Sequence, residues 1–304
     1  MTPTVQDLPT ERQPGPRIIN IRRTSPDSQH GRRITTLGRV TGSKMIIPSS
    51  SVRGALHEAE IHDGLDKQEF SSIYLPQHVL QSAQPISGYE VLGRWRREGR
   101  GVLMPQEFLE VSEKARDKNL IGKVNLQIVR FALREYASGR RSEKIAKRLE
   151  IALNISCKAL SRAFVADVAD EITRLDLDPT RICIEVRAEE LTHNEDCCNL
   201  LLAFRELGCN VVVDGFSLRS GGLSFLVEGV ATRVKLARSF VSGVAVGSRE
   251  RLALEHLVGL TKALNVQVLA NGIEEQRQLD HVQSVGLEHG QGWLLSRPID
   301  LMAA

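Results

Sequence analysis

The sequence predicts an α/β protein whose strands close into a TIM-like (β/α)8 barrel. Five short apolar runs in the second half of the chain each end on a polar or charged residue, and segments of helical character separate most of them. Continuous runs of Val, Ile and Leu are typical of strands that are buried on both faces. Polar residues at the ends of such strands are typical of barrels, which carry their active sites at the C-terminal rim. The run-ending residues are Asn154, Glu185, Asp214, Lys235 and Asn271.

Length and composition fit one large domain. The chain has 304 residues, of which 41% are apolar and 25% charged, and its net charge of +3 is too small to indicate a polyanionic partner. No apolar run reaches the roughly 18 residues of a membrane span, and the N-terminus does not resemble a signal peptide. We therefore expect a cytoplasmic protein that does not enter the membrane. The five cysteines have no C-x-x-C spacing, so reduced thiols are expected rather than a disulfide or a zinc site.

Composition divides the chain at about residue 65. Residues 1–65 are rich in Arg, Pro, Ser, Thr and Gly and lack long apolar runs, which predicts a basic and largely disordered N-terminal extension with some order near Val52–His62. Two interpretations of this extension stay open: a solvated tail, or an arm that docks an acidic partner or nucleic acid. Residues 66–304 are predicted to form the barrel domain.

The predicted elements alternate in the way that a parallel sheet requires. The segments SSIYLPQHVL and ISGYEVLGRW predict two strands joined by a turn, and Pro105 opens a helix. A second helix follows at Leu120–Ala137. The remaining strands are predicted at Glu150–Ile155, Ile182–Val186, Asn210–Asp214, Thr232–Leu236 and Gln267–Ala270, and the helices at Phe164–Leu175, Glu195–Leu207, Arg249–Leu264 and Glu274–Val285.

Eight short motifs occur in a recognisable order. They are YEVLGRW, LMPQEF, ALNIS, ICIEV, VDGF, RVKLARSFV, LANGIEEQRQL and HGQGWLLSRP. In this order, from about Phe70 to Pro298, they resemble the EAL domain, the barrel that hydrolyses the bacterial second messenger cyclic di-GMP. The resemblance covers roughly three quarters of the chain and implies a barrel of the EAL type.

The resemblance implies a role for each of seven residues. The family uses two divalent metals to activate a water and to neutralise the phosphate. Glu90, Asn154, Glu185 and Asp214 correspond to ligands of the first metal; Lys235 to the residue that orients the water or holds the phosphate; Arg94 to a phosphate contact; and Gln291 to a ligand contact. Asn154 and Asp214 would also face the bound ligand.

Several positions depart from the family pattern. The second of two consecutive aspartates, which bridges to the second metal, is Gly215, and the glutamate that serves as metal ligand and general base is Asn271. A neutral amide cannot accept a proton from water. Leu75 replaces a ligand-contacting amide, and Ala188 replaces a glutamate that anchors the loop after the aspartate pair. That loop, Gly215 to Arg219, is itself altered.

The count of acidic residues favours loss of catalysis. Of six acidic positions in the family pattern, three remain: Glu90, Glu185 and Asp214. Three carboxylates suit one weakly held Mg²⁺ rather than two ions, and Lys235 would then be a vestige of the catalytic set. Without its metal, Lys235 would pair with Asp214 and close the site.

Three hypotheses of function stay open. The first is a degenerate EAL domain without turnover, which acts as a cyclic di-GMP receptor or binds a protein. The second is a slow, metal-dependent phosphodiesterase that makes linear pGpG. In the third, the basic arm contacts nucleic acid and the barrel regulates it. Members of the family often pair, so the resemblance leaves a homodimer open, and the sequence does not decide the oligomeric state.

A functional role can be considered for five further residues, and a structural or solvated role is favoured for each. Glu274 is expected to start a helix rather than to replace the lost base. Arg187 and Arg219 are expected to be solvated, and Trp293 and Phe216 to belong to the core rather than to stack on a base.

Overall fold

The structure of the protein is a computed structural model. The structure describes residues 55–80, 83, 85–192, 194–217, 223–241 and 248–302. Residues 1–54 of the predicted extension and Arg219 lie outside these ranges, so the predictions that concern them stay predictions.

Eight strands close into a barrel, which confirms the predicted fold class. With one additional short strand, β3, the described residues contain nine strands: β1 (Phe70–Val79), β2 (Ile86–Arg97), β3 (Gly101–Leu103), β4 (Glu150–Asn154), β5 (Ile182–Arg187), β6 (Asn210–Phe216), β7 (Arg233–Leu236), β8 (Gln267–Asn271) and β9 (His289–Gln291). Neighbours in the barrel follow the order β1-β2-β4-β5-β6-β7-β8-β9, and β9 pairs back with β1. The short strand β3 extends the sheet from β2, with which it forms a hairpin.

β1 runs opposite to its two neighbours. It pairs antiparallel with β2 and with β9, while β2 and β4 to β9 pair in parallel. The predicted hairpin of the first two strands is thereby confirmed. β9 was not predicted as a strand, because three residues that contain a glycine carry too little periodicity to mark one.

Helices follow most of the strands and cover the barrel. They are α1 (Glu58–Asp66), α2 (Pro105–Lys114), α3 (Leu120–Arg141), α4 (Arg162–Arg174), α5 (Ala188–Leu191), α6 (Glu195–Glu206), α7 (Ser224–Val227), α8 (Arg238–Val241), α9 (Arg249–Ala263) and α10 (Gln276–Ser284). The side chains of Ser161, Asn194 and Ser248 cap α4, α6 and α9 by accepting a hydrogen bond from a backbone N–H of the first turn. Such caps satisfy amide groups that have no partner within the helix and so fix where it begins.

The helix α1 belongs to the compact unit that begins at Ser51. Its Gly64 lies against the indole of Trp95, which stacks on Phe70 with ring centroids 5.0 Å apart and meets Phe108 edge-on at 6.1 Å. The Trp95 indole N–H donates to Glu69 Oε2 at 2.8 Å. The aromatic cluster thus joins α1, β1, β2 and α2, and α1 covers one side of it although the sequence placed most of this helix in the extension.

Within the ranges that the structure describes, no helix combines the length and the apolar character that a membrane span needs.

Gly64 offers a test of this packing. A Cβ atom at this position would lie 2.7 Å from Trp95 Nε1, so Gly64→Ala should force the cluster apart and lower the free energy of unfolding by about 1–3 kcal/mol. Gly259→Ala is the matched control, since Gly259 also lies in a helix but a Cβ there would meet no described heavy atom within 4 Å. The control should be neutral or stabilising by up to about 1 kcal/mol. Urea unfolding of both variants measures the difference, and equal stabilities would contradict this account of α1.

Candidate functional site

The carboxyl ends of the parallel strands meet at one rim of the barrel, and seven of the predicted side chains lie there or just inside it. They are Glu90 and Arg94 on β2, Asn154 on β4, Glu185 on β5, Asp214 on β6, Lys235 on β7 and Asn271 on β8. Gln291 joins them from β9, at a position directly opposite Asn271 in the parallel register.

Lys235 is the centre of this group. Its side chain is fully buried, and its Nζ contacts Glu185 Oε1, lies 3.0 Å from Glu90 Oε2 and 3.9 Å from Asp214 Oδ1. An ammonium group so enclosed needs carboxylates around it, because an unpaired buried charge is very costly. The structure therefore contains the predicted contact between Lys235 and Asp214, but the closer partners are the two glutamates.

Amide side chains hold Glu90 in place. Asn154 Nδ2 donates to Glu90 Oε1 at 3.0 Å and to the carbonyl of Val91 at 2.9 Å. Gln291 Nε2 donates to Glu90 Oε2 at 2.5 Å and to Asn271 Oδ1 at 3.1 Å. Both oxygens of Glu90 are thus bonded by neutral donors as well as by Lys235, and Asn271 acts as an acceptor within the same network.

Gln77 is a member of the network that the sequence analysis missed. It is buried on β1, and its Nε2 donates to Gln291 Oε1 at 3.0 Å. In the register of the hairpin, Leu75 lies opposite Glu90. Since alternate residues of a strand share a face, Leu75 and Gln77 point the same way. The alternation of side chains in β1 was the available signal, because it places the amide of Gln77 on the same face as Leu75, which stands where the family has an amide.

The two glutamates that contact Lys235 differ in their protonation. Burial raises the pKa of Glu185 to about 8, helped by the neighbouring charges of Glu90 and Asp214 and opposed by Lys235. Burial also acts on Glu90, but the Lys235 charge and the hydrogen bonds from Asn154 and Gln291 hold the pKa of Glu90 below its usual range. Burial opposes the charge of Lys235, yet its carboxylate neighbours raise the lysine pKa and keep the ammonium protonated.

Arg94 lies nearer the rim and has a different environment. It is 8% exposed, and its only described hydrogen bond runs from Nη1 to the carbonyl of Gly93 at 2.7 Å. Among the described residues, no carboxylate lies within ion-pair distance, and burial lowers the pKa of this guanidinium. A buried guanidinium without an acidic partner has free donors for an incoming anion.

The donor set fits one divalent cation better than two. Glu185 Oε2 and Asp214 Oδ1 are buried oxygens that have no hydrogen-bond partner among the described residues, as expected of atoms that accept a cation. In the described ranges, however, no three His, Cys, Asp or Glu side chains are arranged to hold a metal ion. Gly215 has no side-chain oxygen, and Asn271 already accepts from Gln291. The described residues thus leave two buried carboxylate oxygens that a cation would accept as ligands, and they provide no carboxylate at positions 215 and 271 for a second ion.

The backbone at Gly215 is left-handed, with φ of 72°. It lies where the pairing of β6 with β7 becomes irregular, between Val213 and Phe216. A Cβ at Gly215 would meet no described heavy atom within 4 Å, so the position has room for a side chain but a strained backbone for most residues. Asp and Asn tolerate this conformation better than other residues.

Other rim residues have roles apart from the polar network. Glu274 is exposed and forms an ion pair with Arg238 at 3.3 Å, so it does not replace the lost base. Phe216 is buried edge-on to Phe225, as predicted for a core residue. Trp293, by contrast, is 51% exposed with the Arg297 guanidinium 4.5 Å from its ring centre, so its predicted place in the core was wrong. Arg187 is exposed beside Glu189, in keeping with a solvated residue.

Two cysteines form a disulfide close to this rim, which contradicts the expectation that all five thiols are reduced. Cys157 lies in a short 3-10 turn (Cys157–Ala159) after β4 and is bonded to Cys197 in α6, with Cα atoms 5.8 Å apart. The sequence spacing of 40 residues gave no local signal, because the two cysteines meet only when β4 and β5 pair side by side. Cys183, Cys198 and Cys209 are free.

The chain is similar to proteins of known name over most of its length. A model of the EAL domain family matches residues 58–298. The cyclic di-GMP phosphodiesterase RocR of Pseudomonas aeruginosa is 29% identical over 243 residues, which are 79% of this chain and 60% of RocR. The bifunctional diguanylate cyclase/cyclic di-GMP phosphodiesterase MucR of the same organism is 26% identical over 79% of this chain and 34% of MucR. The chain thus spans less than two thirds of the length of these relatives.

Solved structures share the fold. The MucR phosphodiesterase in complex with c-di-GMP is 23% identical and superposes with a TM-score of 0.71 over 81% of this chain and 98% of its own. The EAL domain of Xanthomonas citri FimX in complex with c-diGMP is 17% identical, with a TM-score of 0.70 over 80% of this chain and 93% of its own. At these identities, the likeness establishes the barrel architecture.

Removal of the Lys235 charge tests the centre of the site. Lys235→Met leaves Glu90 and Glu185 buried without their cation and should lower the free energy of unfolding by about 3–5 kcal/mol at neutral pH. A carboxyl whose pKa is higher in the folded state, about 8 against 4.5 for Glu185, binds more protons when folded, so its contribution to stability declines as the pH rises across that window. Because Lys235 lowers this pKa, its removal raises the pKa of Glu185 further and extends the decline to higher pH, so the loss should be larger at about pH 9 than at about pH 6.

Urea unfolding at both pH values measures these effects. Lys114→Met is the matched control, because Lys114 is 74% exposed and its ion pair with Glu110 lies on the surface. The control should change stability by less than about 1 kcal/mol at either pH. A Lys235→Met protein as stable as the control would show that Lys235 does not hold the site together.

Proposed function

Because this chain belongs to the EAL domain family, we propose that it is a degenerate EAL domain that binds cyclic di-GMP and hydrolyses it poorly or not at all. Cyclic di-GMP is the ligand of several similar proteins by name. The observation that carries the proposal is Arg94, a buried guanidinium at the mouth of the barrel without a carboxylate among the described residues. The ligand supplies the anion that this group lacks.

Charge and shape at the site support a phosphodiester ligand. The two phosphates of the ring carry one negative charge each, and Arg94 offers a planar fork of donors that matches a phosphate oxygen pair. We assign Asn154, Asp214, Lys235 and Gln291 as the remaining ligand-facing residues. All four lie at or near the carboxyl ends of their strands, and Lys235 contributes the one positive charge among them. Leu75 leaves an apolar patch where the family has an amide, so binding is expected to be weaker than in family members with the full set.

Poor turnover follows from two missing groups. Hydrolysis needs a base at a position near the water, and Asn271 is an amide whose oxygen already accepts from Gln291. Lys235 stays protonated in its ring of carboxylates and cannot take the role. A single Mg²⁺ held by Glu90, Asn154, Glu185 and Asp214 would neutralise phosphate charge when bound. Gly215 has no side-chain oxygen that would hold a second ion.

The second candidate function is a slow phosphodiesterase that releases linear pGpG. The buried oxygens Glu185 Oε2 and Asp214 Oδ1 favour it, because no described residue forms a hydrogen bond with them and they would serve as ligands of one catalytic ion. We rank it below the receptor, since one ion without a general base loses a factor of about 10²–10⁴ in rate.

A receptor transmits its state to a partner. We propose that the barrel binds a protein partner. We also propose that two copies of the chain form a homodimer. Contact of the basic arm with nucleic acid is the least supported of these three associations.

Calorimetric titration with cyclic di-GMP, with and without Mg²⁺, tests the receptor. Arg94→Ala should weaken binding by about 10- to 100-fold, because a charge-assisted hydrogen bond contributes about 1.5–3 kcal/mol. Arg116→Ala is the control, since Arg116 is an exposed arginine in the loop between α2 and α3. Absence of heat with the unaltered protein would end the receptor proposal, and equal affinities of the two variants would remove Arg94 from the site.

Restoring the missing carboxylates tests the loss of catalysis. The unaltered protein incubated overnight with Mg²⁺ or Mn²⁺ should give little linear product by chromatography. Gly215→Asp with Asn271→Glu should raise turnover by about 10²-fold or more, because it restores an oxygen ligand where there is room for one and a base beside Gln291. Gly229→Asp is the control, since this glycine also has a left-handed backbone and open space around it. Rapid hydrolysis by the unaltered protein would favour the phosphodiesterase instead.

A further inference from the structure

The disulfide between Cys157 and Cys197 joins two segments that follow neighbouring strands at the rim. Cys157 comes three residues after Asn154, the last residue of β4, and Cys197 lies in the first turn of α6, which follows β5 and α5. The bond therefore links the segment after the strand of Asn154 to the helix after the strand of Glu185. Both of these residues belong to the candidate site.

Weaker bonds hold the same segment, which we define as the β4 rim segment (residues 155–161). Ile155 N donates to the carbonyl of Glu185 at 2.8 Å, and the backbone N–H of Cys157 and the hydroxyl of Ser156 both donate to Glu190 Oε2, at 2.5 and 3.1 Å. Ser156 N also reaches Asn125 Oδ1 at 3.4 Å. These hydrogen bonds keep the two sulfurs close together when the covalent bond is absent, so the pair can close again.

The five cysteines differ in how readily they react. Burial raises the pKa of Cys183, Cys198 and Cys209, in the last case to about 12, which keeps these three as unreactive thiols. Cys157 and Cys197 are buried as well, at 8% and 2% exposure, and they differ from the other three in that their sulfur atoms are bonded to each other, with Cα atoms 5.8 Å apart. Geometry thus selects one pair.

We propose that Cys157 and Cys197 are a reversible redox-modification site that controls how firmly the β4 rim segment holds Asn154. In the oxidising direction, the two thiols lose two protons and two electrons to hydrogen peroxide, the S–S bond forms and two waters leave. A dithiol reductant returns the two electrons and two protons and is itself oxidised to a disulfide. Intracellular disulfides of this kind are typically transient and redox-sensing.

The effect on the ligand rests on the proposed nucleotide binding. When the bond is closed, the β4 rim segment is tied to α6, and Asn154 keeps its hydrogen bonds to Glu90 and to the carbonyl of Val91. When the bond is open, the segment relies on its hydrogen bonds alone and Asn154 is less well ordered. Binding then has to order the residue again, so the reduced protein should bind cyclic di-GMP about five-fold or more weakly than the oxidised one.

Thiol counting and peptide mapping test the redox site with the full-length protein. After treatment with a small excess of hydrogen peroxide, three thiols should react with a maleimide under denaturing conditions, and five after dithiothreitol. Digestion without reductant should yield the peptide pair that contains Cys157 and Cys197. Five reactive thiols after peroxide, or a cross-link to Cys198 instead, would overturn the proposal.

Stability and affinity test its consequence. A cross-link that closes a loop of this length should raise Tm by roughly 10 °C, a shift that dithiothreitol abolishes. Cys157→Ser should show the lower Tm in both conditions, whereas Cys198→Ser, the adjacent cysteine, should keep the redox-dependent shift. A Tm that does not respond to reduction would also overturn the proposal.

Titration with cyclic di-GMP in both redox states completes the test. Stronger binding by the oxidised protein and equal binding by both states of Cys157→Ser are expected, and equal affinity of the two states of the unaltered protein would remove the link to the site. If neither state binds the nucleotide, the proposed function fails, while the thiol count and the Tm shift still decide whether the pair is a redox site.

Discussion

The site is organised around one buried positive charge. Lys235 has no exposed surface, and three carboxylates from three different strands face its ammonium group. Breaking such a buried group commonly costs about 3–5 kcal/mol, because the carboxylates left behind are poorly solvated. The lysine also fixes where the strand ends of β2, β5, β6 and β7 lie relative to one another. It thereby provides, from within the protein, part of the positive charge that a metal would bring.

The amides around this centre decide what chemistry is open to it. Asn154, Gln291 and Gln77 form a chain of donors and acceptors that ends on Glu90 and Asn271. Such a chain fixes side chains and satisfies buried polar atoms, but none of its members takes up a proton near neutral pH. The arrangement is suited to holding a polar ligand in one orientation. A group that activates water needs a pKa near the working pH, and these amides do not have one.

The sequence predicted the barrel and the rim at which the candidate site residues lie, because both depend on local patterns. The five apolar runs mark five of the barrel strands, and their last residues lie at the rim as the parallel register requires. Features that depend on contacts between distant segments could not be predicted in this way. The pairing of Cys157 with Cys197, the bond from Gln77 to Gln291 and the packing of Gly64 on Trp95 each join residues that are far apart in sequence. Trp293 was misjudged for a related reason, since an apolar residue between strand and loop carries no periodicity that separates a core ring from an exposed one.

The direction of β1 has a consequence for how regulatory input would reach the barrel. In a barrel of eight parallel strands, the first strand begins at the end remote from the active site. Here β1 is antiparallel to its neighbours, so it starts at the mouth, and its Ser71 lies directly opposite Arg94. The helix α1 precedes this start by only a few residues and is fastened there by the ion pair between Arg97 and Asp63. A displacement of α1 would therefore move the edge of the barrel that contains Arg94, without being transmitted through the barrel interior.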